Sequence, residues 1–354
     1  MNFNLKAAWQ RVKPYCVVLD PGLLLILAGI CGISLVVQYS AALDFPGRMF
    51  DHVRNFLLAF TVMWIVANVP PQTLLKVALP VYVLGVLLLV GVALFGDVSK
   101  GARRWLNLGG IRIQPSELLK IGLPLMLAWY FQQREAVLSW RDYIVAGIIL
   151  AIPTVLILKQ PDLGTATLVF AAGFFVIFFA GLSWRILALF ATLFLASLPL
   201  VWTLMHDYQR QRVLTLLDPS SDPLGKGFHI IQSVIAVGSG GVVGKGWLQG
   251  TQTHLEFIPE RTTDFIFSAY SEEFGLVGAV LLLFLYGALI SRGLAIASSA
   301  PTLFARLLAA ALTMIFFTYA FVNIGMVIGI LPVVGVPLPF MSYGGTALLT
   351  LGIA

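Results

Sequence analysis

The chain has 354 residues, 59% of them hydrophobic and only 11% charged, with a formal net charge of +6. A soluble domain carries roughly 25% charged residues, and a mean hydropathy of +0.94 over the whole length excludes a water-soluble globule. Only helices facing lipid, or a closed barrel, satisfy their own backbone polar groups in hydrocarbon, and the long apolar runs here predict an all-α integral membrane protein.

A crossing helix needs about 20 apolar residues. A basic stretch (Lys6, Arg11, Lys13) precedes an apolar segment from Gly22 to Val37. Ser40-Ala41-Ala42 has the small residues of a cleavage site, but many further runs follow, so an uncleaved first helix is expected. Runs begin near Pro21, Phe50, Leu74, Pro115, Tyr143, Thr165, Arg185, Phe265 and Leu303, and a last one near Ser342 stops at Ala354, too short to cross. The expectation is a single domain over 1–354, a bundle of about ten helices whose last is clipped. Pro80, Gly85, Pro124, Pro153 and Pro199 interrupt runs, which membranes tolerate where neighbours re-satisfy the backbone. Cys16 and Cys31 form no CxxC, and no disulfide between them is expected.

Two long polar stretches lie between runs, 97–114 and 206–264, the second being a loop between helices seven and eight. Lysine and arginine in short loops set orientation. With the N-terminus in the cytoplasm, that side holds Lys6, Arg11, Lys13, Lys76, Arg134, Arg141, Arg185, Arg292 and Arg306, against Arg48, Arg54 and Lys159 outside. Both long loops then face outward with Lys100, Arg103, Arg104, Arg112, Lys120, Arg210, Arg212, Lys226, Lys245 and Arg261. Long loops translocate regardless of charge. These cations are either a solvated surface or a seat for a polyanion such as a lipid-linked pyrophosphate.

Charges inside membrane helices are costly and point to function. Glu117 and Lys120 sit three apart at the start of the fourth run, on one helical face. Asp162 lies between the fifth and sixth, able to cap the next helix or to pair with a cation such as Lys120. Asp264 is placed in the first turn of the eighth helix, beside Phe265-Ile266-Phe267. It is either an acid complementing the helix dipole or a half-desolvated carboxylate suited to general-base work. Glu272 and Glu273 follow further along the same helix.

The glycine-rich stretch 238–246 fails as a nucleotide loop: GxGxxG would need glycine at Val243, and a P-loop would need glycine at Ser239 and a hydroxyl residue at Gly246. Neither nucleotide nor nucleic acid is expected. His52, His206, His229 and His254 lack metal-ligand spacing, and no GxSxG elbow occurs. Carboxylates, cations and a bilayer remain, a set suited to an activated lipid-linked substrate.

Several segments carry a resemblance: His206 to Arg212, Asp222 to Ser233, Gly250-Thr251-Gln252 on to Phe265, Leu331 to Pro339, and Ser342-Tyr343-Gly344-Gly345, with Gln114 to Lys120 and Gln160 to Thr165. Together they resemble the SEDS family (shape, elongation, division and sporulation) over essentially the whole chain. Gly250-Thr251-Gln252 and Val334-Gly335-Val336-Pro337 are similar to its elongation branch rather than its division branch.

The resemblance implies a peptidoglycan glycosyltransferase of the bacterial cytoplasmic membrane, with its active site facing the periplasm. It would polymerise lipid II into β-1,4 glycan with inversion. By resemblance Asp264 takes the acceptor proton. Lys100, Arg103, Lys120, Arg210 and Arg212 are candidates to hold pyrophosphate, with Glu117 and Asp162 also at the substrate. A divalent cation, magnesium or manganese, could assist. The implied partners are a class B penicillin-binding protein and other membrane proteins of the elongation machinery. A lipid II flippase, lined by Glu117, Lys120 and Asp162, and a non-catalytic scaffold are the alternatives.

Overall fold

The computed structural model describes residues 18–99, 102–108, 111–134, 138–205, 207–221, 225–258 and 260–354. Asp20 caps α1 (Pro21–Ala41), its Oδ1 accepting from the Leu23 N–H at 2.8 Å. Pro21 follows in the first turn, where a missing N–H leaves nothing unpaired. Arg292 grips the same carboxylate through Nε at 3.0 Å and Nη2 at 2.6 Å. That guanidinium, followed by the Leu23 N–H, holds the Asp20 carboxyl down at about 2.

α2 (Arg48–Ala67) and α3 (Pro71–Phe95) follow, then α4 (Pro115–Gln132), α5 (Trp140–Leu158), α6 (Leu163–Phe179) and α7 (Trp184–Leu204). Pro80, Pro124, Pro153 and Pro199 all lie inside helices that continue past them. The two stretches expected as loops have structure of their own. The first holds a three-stranded antiparallel sheet of β1 (Asp97–Ser99), β2 (Ala102–Leu108) and β3 (Ile111–Ile113) in that order. The 206–264 stretch contains helices α8 (Asp207–Leu217), α9 (Lys226–Ser239) and α10 (Thr251–His254).

After it come α11 (Ile266–Ser298), α12 (Leu303–Val327) and α13 (Gly345–Ile353). Among the described residues α1, α2, α3, α5, α11 and α12 are long and apolar enough to cross a membrane, and α6 is a shorter apolar helix. α12 is the central one: its apolar window is 56% buried, against 22 to 33% in the other five. Phe304, Leu307, Leu308 and Ala311 near its start belong to a core shared with α3 to α6. Ile315, Tyr319, Val322 and Val327 join a second core with α1, α2, α11 and α13.

The interruption in α11 falls at Gly275, where φ is 64° and ψ −159°, a conformation open to glycine and strained for other residues. The glycine-rich stretch 240–246 fills the break. Lys245 and Gly246 donate their N–H groups to the Glu272 and Glu273 carbonyls, both at 3.0 Å. In return, Leu276 and Val277 donate to the Gly241 and Val242 carbonyls at 2.9 and 3.0 Å. The approach is close enough that a Cβ on Gly244 would stand 2.0 Å from the Glu273 carbonyl oxygen. These glycines serve the packing of one backbone against another.

Candidate active site

The turn before α11 hangs from three successive carbonyls. Thr262 O accepts from Gln38 Nε2 of α1 and from the Tyr343 N–H, both at 2.8 Å. Thr263 O accepts from Ser342 Oγ at 2.6 Å, and Asp264 O from Asn323 Nδ2 of α12 at 2.8 Å. Both amides reach further: Gln38 to Met341 O at 2.9 Å and Asn323 to Val336 O at 2.7 Å. The same two side chains thus tie the 331–343 segment to the turn. Arg48 Nη1 donates to Thr262 Oγ1 at 2.6 Å, and buried Arg261 donates to Ala41 O at 2.9 Å and pairs with Asp44.

α11 begins at Ile266 with Phe265 at its N-cap position. Asp264 therefore precedes the helix instead of sitting in its first turn, as the sequence suggests, because the turn's carbonyls are already committed to other elements. Its carboxylate is half-buried and faces Gly335, where a Cβ would stand 3.3 Å from Oδ2. Gly335 also has a φ of 73°, so space and backbone both favour glycine there. The Phe265 ring stacks on His229 of α9 at 5.8 Å, bringing α9 against the turn.

Glu117 and Lys120 share a face at the head of α4, as their spacing predicts. Lys120, 3% exposed, donates to Glu117 Oε1 and to the Tyr319 hydroxyl, both at 2.6 Å. Glu117 Oε2 accepts from Thr350 of α13 at 2.9 Å. Tyr319 and Asn323 are one turn apart on α12, so a single helix face carries both the Lys120 cluster and the brace on Asp264.

Asp162 caps α6, accepting from Thr165 N at 3.1 Å and Thr165 Oγ1 at 2.9 Å. Its cation is Arg104, with Nε 3.2 Å from Oδ2 and its N–H directed off that line; Lys120 is committed elsewhere. Gly164, two residues on, packs so tightly under the 331–343 segment that a Cβ would lie 2.7 Å from Val334 O. Val334 and Gly335 thus join the Asp162 corner to the Asp264 carboxylate.

Side chains alternate across a strand, so Arg103 on β2 faces away from Arg104 and is exposed. Arg210 donates to the Trp202 and Thr203 carbonyls at 3.0 and 2.7 Å, closing the end of α7. Arg212 lies on α8, with its side chain outside the described ones, and Lys100 lies outside the described residues.

Glu272 accepts from Lys245 Nζ at 2.7 Å and from the Gln252 and Thr253 N–H groups at 2.8 and 3.1 Å, so it clasps the start of α10. Glu273 is buried against Ser40 and lies 3.7 Å from His254 Nε2. No group of three His, Cys, Asp or Glu residues stands together as a metal cage among the described residues. Reading the runs for charge alone passed over Gln38, Tyr319, Asn323 and Thr350. The available signal was an uncharged polar group inside an apolar run, where it needs a partner.

The family model of the cell cycle proteins FtsW, RodA and SpoVE matches residues 21–354. The peptidoglycan glycosyltransferase MrdB of Escherichia coli is 50% identical over 351 residues, 99% of this chain and 94% of that protein. A chain from a peptidoglycan synthase complex, solved for its structural coordination of polymerization and crosslinking, superposes with a TM-score of 0.78 at 36% identity, over 94% of this chain and 95% of that one. The crystal structure of the rod shape determining protein RodA of Thermus thermophilus superposes with a TM-score of 0.69 at 31% identity, over 94% of each chain.

Proposed function

The chain belongs to the FtsW, RodA and SpoVE family of cell cycle proteins, and from that membership we propose that it is a peptidoglycan glycosyltransferase of cell elongation. The substrate is lipid II, a disaccharide-pentapeptide on undecaprenyl pyrophosphate. Asp264 accepts the proton of the acceptor sugar's 4-hydroxyl while that oxygen attacks the anomeric carbon of the lipid-linked donor. The bond from that carbon to the pyrophosphate oxygen breaks, the electron pair leaves with the pyrophosphate, and the new β-1,4 linkage is inverted. One base is enough, because pyrophosphate leaves without an acid to protonate it.

The observation that carries this reading is the fastening of the Asp264 turn. Three consecutive carbonyls are held by different parts of the chain while the carboxylate stays half-buried. A base must be held within hydrogen-bond reach of the proton it takes, and a rigid main chain does that.

In this reading the chain is one domain, a bundle of about ten helices in the bacterial cytoplasmic membrane with the N-terminus inside, and the 206–264 stretch, which ends on Asp264, lies on the periplasmic side. Exposed Arg103, with Lys100, Arg210 and Arg212, supplies cations that offset charge on the departing pyrophosphate. Buried Lys120 and Asp162, with half-buried Glu117, hold the wall that the sugar meets. A magnesium or manganese ion would be held mainly by the pyrophosphate and one or two carboxylates. The partner is a class B penicillin-binding protein, a reading supported by the likeness to a chain from a complex that coordinates polymerization with crosslinking.

The test uses the full protein with its transpeptidase partner and labelled lipid II, comparing Asp264→Asn with the parent. Loss of a general base lowers the rate by about 100- to 10,000-fold. Polymer formed at the parent rate by the asparagine variant would sink the mechanism. Lipid II that changes leaflet in vesicles without polymer from either protein would make the chain a flippase, and neither activity would make it a scaffold.

A further inference from the structure

A cavity of about 670 Å³ lies away from Asp264, between α5, α6 and α7. Its walls are apolar, with Tyr143, Leu150, Phe170, Phe174 and Phe190 among them, and Gly147 forms a hollow where a Cβ would meet nothing within 4 Å. It begins at Trp140, in the first turn of α5, and at Leu182 and Ile186 around the start of α7. The far end of α5 leads to Asp162 and the Asp264 site, so the mouth of the cavity lies at the opposite membrane face.

Both helices at that mouth start with the same four residues, Leu138-Ser139-Trp140-Arg141 and Leu182-Ser183-Trp184-Arg185. Trp140 and Trp184 are 67% and 75% exposed, as befits rings anchored at headgroup level. Arg141 lies over the Trp140 ring, 5.7 Å from its centroid. Arg141 and Arg185 are both exposed, and neither meets a carboxylate among the described residues. The nearby acid, Asp142, is buried and bound to Arg134 and Ser139. The mouth therefore offers two guanidiniums with no carboxylate partner among the described residues, above an apolar groove, the pattern by which clefts between membrane helices hold anionic lipid head groups.

We propose that this groove binds one anionic glycerophospholipid from the leaflet opposite Asp264, with an acyl chain over Gly147 and its phosphate met by Arg141 and Arg185. The headgroup charge and the chain act together, so a zwitterionic lipid binds more weakly and glycerol phosphate alone does not bind.

Native mass spectrometry of the full chain in detergent, titrated with dioleoyl phosphatidylglycerol, dioleoyl phosphatidylcholine or glycerol phosphate, tests this. Phosphatidylglycerol should be retained preferentially, with affinity falling about fivefold for each of Arg141→Gln and Arg185→Gln, the worth of one basic side chain at an anionic surface. Gly147→Leu fills the hollow and should abolish retention of both lipids, and Phe190→Glu on the exposed face of α7 is a second block should the first fail to fold. Equal retention of the two lipids by the parent would overturn the proposal. So would phosphatidylglycerol binding undiminished in the double glutamine variant or in both groove variants, or glycerol phosphate binding as tightly as the lipid.

Discussion

The side-chain amide of Asn323 donates to the main-chain carbonyl of Asp264 at 2.8 Å, and from the same nitrogen to that of Val336 at 2.7 Å. One buried amide thus sets both the residue assigned as base and the segment that faces its carboxylate. Asn323→Leu keeps the volume but leaves two buried carbonyls unpaired, at about 1–3 kcal/mol each. Expected are a lower melting temperature and a polymerisation rate down about 100-fold, the effect of an ångström-scale misplacement. A parent-like rate from labelled lipid II would show that Asn323 does not position Asp264.

The clasp at the break in α11 predicts opposite results for two nearby glycines. A Cβ on Gly244 would meet the Glu273 carbonyl at 2.0 Å, and Gly244 itself has a φ of 83°. Gly244→Ala should therefore cost more than about 2 kcal/mol and show as a large fall in melting temperature. Gly238, near the end of α9, has nothing within 4 Å of a Cβ. Gly238→Ala should be neutral, or stabilise by up to about 1 kcal/mol through helix propensity.

Lys120 is buried between Glu117 and Tyr319. Lys120→Met strands the Glu117 carboxylate, and breaking a buried pair costs about 3–5 kcal/mol. The double variant Lys120→Met/Glu117→Gln removes both charges and should recover most of the melting temperature. Polymerisation should stay low in both if the pair forms the wall of the site proposed above. Full recovery of activity in the double variant would reduce the pair to packing alone.

Arg103 and Arg104 are neighbours on β2 with different duties. Arg104→Ala leaves Asp162 at 6% exposure without its cation, so stability should drop by about 1–3 kcal/mol. Arg103→Ala touches no partner among the described residues. It should leave the stability within about 0.5 kcal/mol of the parent while raising the lipid II concentration needed for half-maximal rate. Melting curves beside lipid II titrations of the two variants separate these roles.

The helices were legible because a long apolar run has few alternatives in lipid, and the spacing of Glu117 and Lys120 alone puts them on one face. The kink was not legible. Four prolines pointed elsewhere, and the break at Gly275 depends on the 240–246 backbone, which local patterning does not connect to it. Arg104 and Arg103 could not be told apart without strand register. Gln38 and Asn323 looked like minor blemishes in greasy runs, since a hydrogen bond between residues 224 positions apart leaves no periodicity. The resemblance singled out Asp264 as a candidate, while the groups that hold its turn became visible only in three dimensions.

The braces on Asp264 also impose an order in time. Gln38 spans 224 positions to Thr262 and 303 to Met341, and Ser342 reaches back 79 to Thr263. Contacts so remote in sequence form late, because the intervening chain must exist and its loops must close. During synthesis Asp264 is made well before Asn323, Ser342 and Tyr343, so an unfinished chain carries the carboxylate on a turn with most of its fastenings missing. If Asp264 is the base proposed above, such a chain stays catalytically silent until translation has passed the residues that lock the turn.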